Sequence, residues 1–124
     1  MHRDLKLSNV LISSDWRLKI IDFGLAVQLD SEESERQTQC GTPNYISPEV
    51  IHSLPYGLQT DIWSLGCIFY ALLMGVPPFD SPTVQQTILK IQSGKYRPAE
   101  GSEEAKDLLT QMLVMQPDKR FTIQ

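Results

Sequence analysis

The chain opens with polar side chains whose types and spacing could do phosphate chemistry. Asp4 is followed by Lys6 and Asn9, and a further carboxylate, Asp22, comes thirteen residues after Asn9. Phosphoryl transfer depends on positioning and on charge neutralisation, so a carboxylate must meet the incoming hydroxyl and hard oxygen ligands must hold Mg²⁺. These side chains are of the types that such a reaction needs.

The same residues belong to three short motifs in a fixed order. Residues 2–9 read H-R-D-L-x-x-x-N, residues 22–24 read D-F-G, and residues 47–49 read S-P-E, a close variant of A-P-E. Each tripeptide alone carries little weight, but the three in this order and spacing leave almost no room for chance. The chain therefore resembles the C-terminal lobe of eukaryotic protein kinases.

The resemblance implies a protein kinase-like α+β fold. Residues 1–124 would form one partial kinase domain, made of the catalytic loop, the activation segment and the central helices. This partial C-terminal lobe would be mainly α-helical with a short β-hairpin, and the N-terminal lobe would be absent. Phe23 and Gly24 would be structural residues, with Phe23 and His2 packing in the interior.

The resemblance also implies catalytic and cofactor-binding roles. Asp4 would orient the substrate hydroxyl, and Lys6 would contact the transferred phosphate. Asn9 and Asp22 would be the metal ligands, so that Lys6, Asn9 and Asp22 together bind ATP and Mg²⁺. Thr42 would contact Asp4 and Lys6, which points to protein substrates with Ser or Thr rather than Tyr. As alternatives, Lys6 is a solvated surface lysine, Asn9 is a turn residue, and the two aspartates are ordinary loop carboxylates.

Arg3 and Thr38 would be regulatory residues. An arginine beside the catalytic aspartate is expected to pair with an anion. In the resembling kinases that anion is a phosphorylated residue of the activation loop. Thr38 lies four residues before Thr42, where the family's activating site usually falls, although Ser31 and Ser34 are also in this loop. The alternative is that Thr38 is a solvated loop residue.

Two contacts are expected to hold this site in place. The resemblance makes Glu49 and Arg120 a buried ion pair that joins the activation segment to the late helices, since either charge would be costly to bury alone. It also makes Asp61 an acceptor of backbone N–H groups from the catalytic loop. Both contacts would be structural rather than catalytic.

The loop around S-P-E indicates a branch of the family. Residues 41–49, G-T-P-N-Y-I-S-P-E, and residues 63–73, W-S-L-G-C-I-F-Y-A-L-L, resemble the polo-like kinases, and most closely their Sak (polo-like kinase 4) branch. That branch controls centriole duplication. The resemblance therefore implies a cytoplasmic protein located at the centriole or centrosome.

Composition excludes several other functions. The chain has 124 residues, with 11 Lys and Arg against 15 Asp and Glu, so its net charge of −4 gives no basic surface for nucleic acid or an anionic membrane. Acids concentrate in residues 30–35, which we interpret as a solvated loop, with steering of basic substrates as the alternative.

The apolar stretch 62–76 is too short to span a bilayer. Cys40 and Cys67 lack metal-ligand spacing and are expected to be reduced thiols.

Hydrophobic periodicity and turn residues predict the elements that position these side chains. The central helix, residues 59–75, is apolar nearly all round and is expected to be buried. Ser47, Ser81 and Ser102 are predicted helix caps. The apolar side of the helix predicted over residues 82–92 is expected to be Ile88, Leu89 and Ile91. The remaining elements are predicted to be a hairpin of residues 9–13 and 17–21, an exposed mobile loop over 30–39, and helices over 47–52, 82–92 and 102–113.

The sequence lacks some motifs of a complete kinase. It has neither the glycine-rich G-x-G-x-x-G-x-V loop nor the V-A-I-K lysine. We therefore expect these residues alone to bind Mg·ATP poorly, to turn over negligibly and to aggregate, with the missing N-terminal lobe in a parent chain. Met1 is then an internal methionine. The alternatives are a non-catalytic interaction module, and a truncated isoform or incomplete gene model; the oligomeric state is open.

Overall fold

The computed structural model describes residues 1–30 and 35–122. The predictions made for Ser31 and Ser34, and for most of the acidic run, lie outside the described residues. Short 3-10 turns lie at Leu7–Asn9, Pro43–Tyr45 and Pro117–Lys119. The strands and helices are β1 (Val10–Ile12), β2 (Leu18–Ile20), α1 (Pro48–Ile51), α2 (Gln59–Met74), α3 (Val84–Ser93) and α4 (Glu103–Met112).

The predicted β-hairpin is confirmed, with shorter arms. β1 and β2 pair antiparallel with Val10 opposite Ile20, and the backbone N–H of Ile21 donates to the Asn9 carbonyl at 3.0 Å. Asn9 immediately precedes β1 and Asp22 follows β2 by two residues. The hairpin therefore returns the chain so that both predicted metal ligands lie at the same end of the sheet.

The central helix is confirmed as the middle of the hydrophobic core. Trp63 and Cys67 of α2 are fully buried, and Phe79 stacks on Trp63 with ring centroids 5.3 Å apart. The helix ends at Gly75, whose φ of 78° is left-handed and favours glycine. The prediction that all faces of this helix are buried is confirmed for its first turns. It is wrong at the C-terminal end, where Leu72 is 65% exposed.

Helix α3 begins later than predicted. Its cap is Thr83, whose hydroxyl accepts from the Gln86 backbone N–H at 3.3 Å, whereas the Ser81 hydroxyl donates to nearby carbonyls instead. In the resulting helical phase Ile91 is fully buried and Leu89 is exposed. The prediction of Ser81 as the cap and of Leu89 on the apolar side was therefore wrong.

The other two predicted caps behave differently from each other. The Ser102 hydroxyl accepts from the Ala105 N–H at 3.2 Å, which confirms it as the cap of α4. Ser47 occupies the cap position of α1 but makes no capping hydrogen bond. Its buried hydroxyl instead donates to the Thr60 hydroxyl at 3.4 Å, so this serine links α1 to α2.

The described part of the predicted loop is mostly exposed, as expected, but it is tied down at one point. Arg36 and Tyr56 form an isolated antiparallel bridge, with N–H···O distances of 2.8 and 2.9 Å. Within residues 1–30 and 35–122, no helix is both long enough and apolar enough to cross a membrane. Both cysteines are free thiols.

Candidate active site

The catalytic-loop backbone is held by the first turn of α2. The backbone N–H groups of His2 and Arg3 donate to the two carboxylate oxygens of Asp61 at 2.7 and 3.0 Å. Arg3 has a left-handed φ of 70°, a conformation that costs about 1–3 kcal/mol in a non-glycine residue. The Asp61 carboxylate holds this turn in place and so presents the next residue, Asp4.

Three predicted catalytic residues meet in one hydrogen-bonded cluster. Lys6 Nζ lies 2.7 Å from Asp4 Oδ2, and the Thr42 hydroxyl donates to Asp4 Oδ1 at 2.7 Å. Lys6 Nζ also lies 3.2 Å from Thr42 Oγ1, which closes the triangle. Thr42 is 38 residues away from Asp4 in the sequence. The fold thus joins the activation segment to the catalytic loop at this carboxylate.

The cluster keeps Asp4 ionised. Partial burial opposes the charge, but the hydrogen bonds from Lys6 and Thr42 outweigh burial and lower the pKa of Asp4 below its ordinary value. The hydrogen bond to Asp4 in turn raises the pKa of Lys6. A carboxylate and an ammonium group therefore lie side by side at neutral pH, and the carboxylate can accept a hydrogen bond from an incoming hydroxyl.

Asn9 and Asp22 offer oxygen atoms that fit a magnesium ion. Asn9 is buried and its side-chain N–H donates to the Asp4 backbone carbonyl at 3.0 Å, which leaves its amide oxygen available to a metal ion. Asp22 is exposed and accepts from the Gly24 N–H at 3.3 Å. In the described ranges no group of three or more His, Cys, Asp or Glu side chains could hold a metal. Two hard oxygen donors suit Mg²⁺, which usually keeps waters and binds nucleotide phosphates.

Phe23 and Gly24 sit beside this end of the hairpin. Phe23 contacts the buried His2 ring, with centroids 4.9 Å apart, but is itself 63% exposed. Interior packing therefore holds for His2 but not for Phe23, whose side chain is largely exposed among the described residues. A Cβ at Gly24 would come within 3.2 Å of Asp22 Oδ1, so glycine leaves room for that carboxylate.

The two predicted regulatory residues are not joined. The Arg3 guanidinium donates through Nε to the Leu25 carbonyl at 2.6 Å. Thr38 is exposed and, within the described residues, makes no hydrogen bond to Arg3. Its backbone carbonyl instead accepts a hydrogen bond from the Tyr56 phenol at 2.5 Å.

The structure brings Glu49 and Arg120 together in a buried bidentate ion pair. Arg120 donates to the two Glu49 oxygens at 2.6 and 2.7 Å, across 71 residues of sequence. The pair is almost fully buried, and Thr60 donates to Glu49 at 2.9 Å. The guanidinium also lies 5.1 Å from the Trp63 ring centroid. The end of the activation segment is thereby fixed to the helical core.

We expect the stability of this fold to fall at acid pH through Glu49. Burial opposes its charge, but Arg120 lowers the pKa of Glu49 below its usual 4.5. The unfolded chain therefore binds the proton first, so stability is lost as pH falls below about 4.5. Thermal unfolding measured against pH should show a steep fall for the wild type and a flatter, lower curve for Glu49→Gln. Glu100→Gln, at an exposed pair, should keep the wild-type slope; a Glu49→Gln slope as steep as wild type contradicts the assignment.

Sequence reasoning missed two polar residues that hold the activation segment. Ser64 of α2 donates to the Tyr45 carbonyl at 2.8 Å, and Tyr56 bonds to the segment through both its backbone and its phenol. Ser64 interrupts the mostly apolar stretch 62–76, and this interruption is a signal that could have indicated it. Tyr56 lies between the predicted elements and carries no such signal.

Comparison with known proteins settles the family. A family model described as the protein kinase domain matches residues 1–124, the whole chain. The chain belongs to the protein kinase domain family. This kinase domain is 48% identical over 125 residues to "Serine/threonine-protein kinase PLK4" of both Drosophila grimshawi and Drosophila melanogaster, covering 100% of the chain and 16% of each relative. It is 51% identical over 121 residues to the protein of the same name from Danio rerio, covering 97% of the chain and 13% of that relative.

These matches confirm the predicted branch of the family. The chain resembles kinases of the PLK4 type along its entire length, so both the kinase-like fold class and the polo-like resemblance are confirmed. The chain spans about a sixth of the length of the Drosophila relatives it matches.

Proposed function

We propose that the protein carrying this chain is a serine/threonine protein kinase of the PLK4 type, which transfers the γ-phosphate of ATP to hydroxyl groups of protein substrates. The observation that carries the proposal is the cluster of Asp4, Lys6 and Thr42, with Asp4 at the centre of a hydrogen-bonded triangle. A charged carboxylate beside a lysine meets the two needs of phosphoryl transfer, which are positioning and charge neutralisation.

Each member of the cluster has a separate task. Asp4 orients the substrate hydroxyl by accepting its hydrogen bond, and its lowered pKa keeps it an acceptor at neutral pH. Lys6 holds the Asp4 carboxylate and supplies positive charge for the phosphate that is transferred. Thr42 ties the activation segment to Asp4, so the carboxylate is fully positioned when that segment is in place.

The cofactors are ATP and Mg²⁺, which Asn9 and Asp22 would hold with help from Lys6. When bound, the metal neutralises charge on the phosphates. Asn9 contributes a second effect, because its N–H bond to the Asp4 carbonyl fixes the position of the catalytic loop. Asp22 reaches the same end of the hairpin through a left-handed backbone with φ of 62°.

Regulation would act through Thr38. A phosphate on this exposed threonine is an anion that the Arg3 guanidinium can bind, replacing its hydrogen bond to a neutral carbonyl.

The resemblance to kinases of the PLK4 type supports an N-terminal lobe in the parent chain, and a cytoplasmic location at the centriole or centrosome. Protein substrates with Ser or Thr are the partners that follow from the activity.

The acceptor residue tests the proposed specificity. Three peptides that differ only at the acceptor, as Ser, Thr or Tyr, would be incubated with the full-length protein and Mg·ATP. We expect phosphate on the Ser and Thr peptides, because the resemblance to serine/threonine kinases rests in part on Lys6 and Thr42. The Tyr peptide should carry no more phosphate than an Ala-substituted peptide. Phosphotyrosine as the main product, detected by mass spectrometry, would overturn the assignment.

A further inference from the structure

We propose that Tyr56 is a positioning residue whose phenol clamps the segment carrying Thr38 and thereby sets the approach of the activation segment to the catalytic loop. The proposal rests on the proposed kinase function, since it assigns the support of the site named above. Tyr56 lies in the loop between α1 and α2.

Tyr56 forms hydrogen bonds to the activation segment at two points, Arg36 and Thr38. Its backbone exchanges two hydrogen bonds with Arg36, at 2.8 and 2.9 Å. Its phenol donates to the Thr38 carbonyl at 2.5 Å and lies 3.9 Å from Cys40 Sγ. Tyr56 is only 3% exposed, and a buried phenol needs such a partner.

The clamp leads directly to the catalytic loop. Gly41 follows Cys40 with a φ of 117°, and a Cβ there would meet the Arg3 carbonyl at 3.2 Å, so the two backbones approach closely. A cavity of about 10 Å³ at this junction is lined by Arg3, Asp4, Cys40, Gly41 and Thr42, among others. The next residue, Thr42, donates to Asp4. Tyr56 therefore stands at the start of a short run of contacts that ends on the catalytic carboxylate.

Arg3 acts on this phenol as well. Burial raises the pKa of Tyr56, and the Arg3 guanidinium opposes that shift. The phenol remains neutral and keeps the proton that it donates to Thr38. Within residues 1–30 and 35–122, a further side-chain contact of this stretch joins Gln39 to Ser53 at 2.7 Å and is exposed to solvent. The phenol is thus the buried tie on residues 38–40, and its loss would release them.

The test is Tyr56→Phe in the full-length protein, which keeps the buried ring and removes only the hydroxyl. The matched control is Tyr70→Phe, because the phenol of this equally buried tyrosine also donates to a backbone carbonyl, that of Arg97, at 2.9 Å. Hydrogen–deuterium exchange over residues 36–42 would be measured beside kcat and KM for a serine peptide and KM for ATP.

We expect exchange over residues 36–42 to accelerate about tenfold and kcat/KM for the peptide to fall about tenfold in Tyr56→Phe, with KM for ATP unchanged. Both variants should lower the melting temperature by a similar amount. Tyr70→Phe should change neither the exchange over residues 36–42 nor kcat/KM for the peptide. Equal exchange and equal kcat/KM in the two variants would overturn the proposal.

Exchange separates this proposal from the proposed function, because it needs no catalysis. A wild-type protein that transfers no phosphate refutes the kinase assignment while the exchange result still tests the clamp. If circular dichroism shows that Tyr56→Phe does not fold, a measurement on the wild-type protein tests the clamp instead. Its Tyr56 phenol hydroxyl proton, which donates to the Thr38 carbonyl, must exchange slowly with water in an NMR measurement, and rapid exchange of that proton overturns the clamp.

Discussion

We expect Asp4→Asn to abolish measurable phosphotransfer while the fold stays intact. We expect kcat to fall about 10²–10⁴-fold, the range for losing a group that handles a proton in the transition state. The amide keeps the shape of the side chain but loses the charge, so it no longer attracts Lys6 and is a weaker acceptor for a substrate hydroxyl. Initial rates with a serine peptide, measured on the full-length protein, check this.

Asp107→Asn is the matched control for that substitution. It makes the same chemical change at an exposed carboxylate of α4 that bonds to Gln111 at 2.7 Å, on a different element from the cluster. The control should retain the wild-type rate and melting temperature. An Asp4→Asn protein that is folded and as active as this control would remove Asp4 from the mechanism.

Arg120→Ala is expected to destabilise the fold strongly. It strips the buried Glu49 carboxylate of its partner. It also removes bonds to three backbone carbonyls, those of Gln59 at 2.9 Å, Val114 at 2.8 Å and Met115 at 3.3 Å. An uncompensated buried charge of this kind costs about 3–5 kcal/mol. Chemical denaturation should show this loss in the free energy of unfolding, and activity should fall as the activation segment loses its anchor.

Two comparisons isolate the buried pair. Arg97→Ala breaks an ion pair of similar length, 2.7 Å to Glu100, but at an exposed site, where about 0–1 kcal/mol is expected. The double variant Glu49→Met with Arg120→Met should be less destabilised than Arg120→Ala, because no charge remains buried. A loss below about 1 kcal/mol in Arg120→Ala contradicts the importance of the pair.

The sequence predicts this fold best where strong periodicity or a neighbouring residue decides the structure. The hairpin, the central helix and the α4 cap at Ser102 are of this kind. It fails at α3, because Ser81 and Thr83 are both acceptable caps and the choice depends on which phase buries Ile91. Local propensity cannot settle a choice that tertiary packing makes.

The candidate site likewise has residues that the sequence predicts and residues that only tertiary packing reveals. The motifs indicate Asp4, Lys6 and Thr42, which the structure joins in one cluster. They give no sign of Tyr56, whose clamp on Thr38 depends on a loop-to-loop approach that has no periodicity. They also do not reveal the exposure of Phe23, since burial depends on which elements surround the ring.

The central claim is that the Asp4 cluster supports phosphate transfer from ATP to a protein hydroxyl. It is tested most directly by incubating the full-length protein with γ-labelled ATP, Mg²⁺ and a serine peptide, and by locating the label by mass spectrometry. We predict label on the serine hydroxyl with wild-type protein and none above background with Asp4→Asn. No transfer by a folded wild type, or equal transfer by both proteins, would contradict the claim, and the first of these results would favour a non-catalytic interaction module.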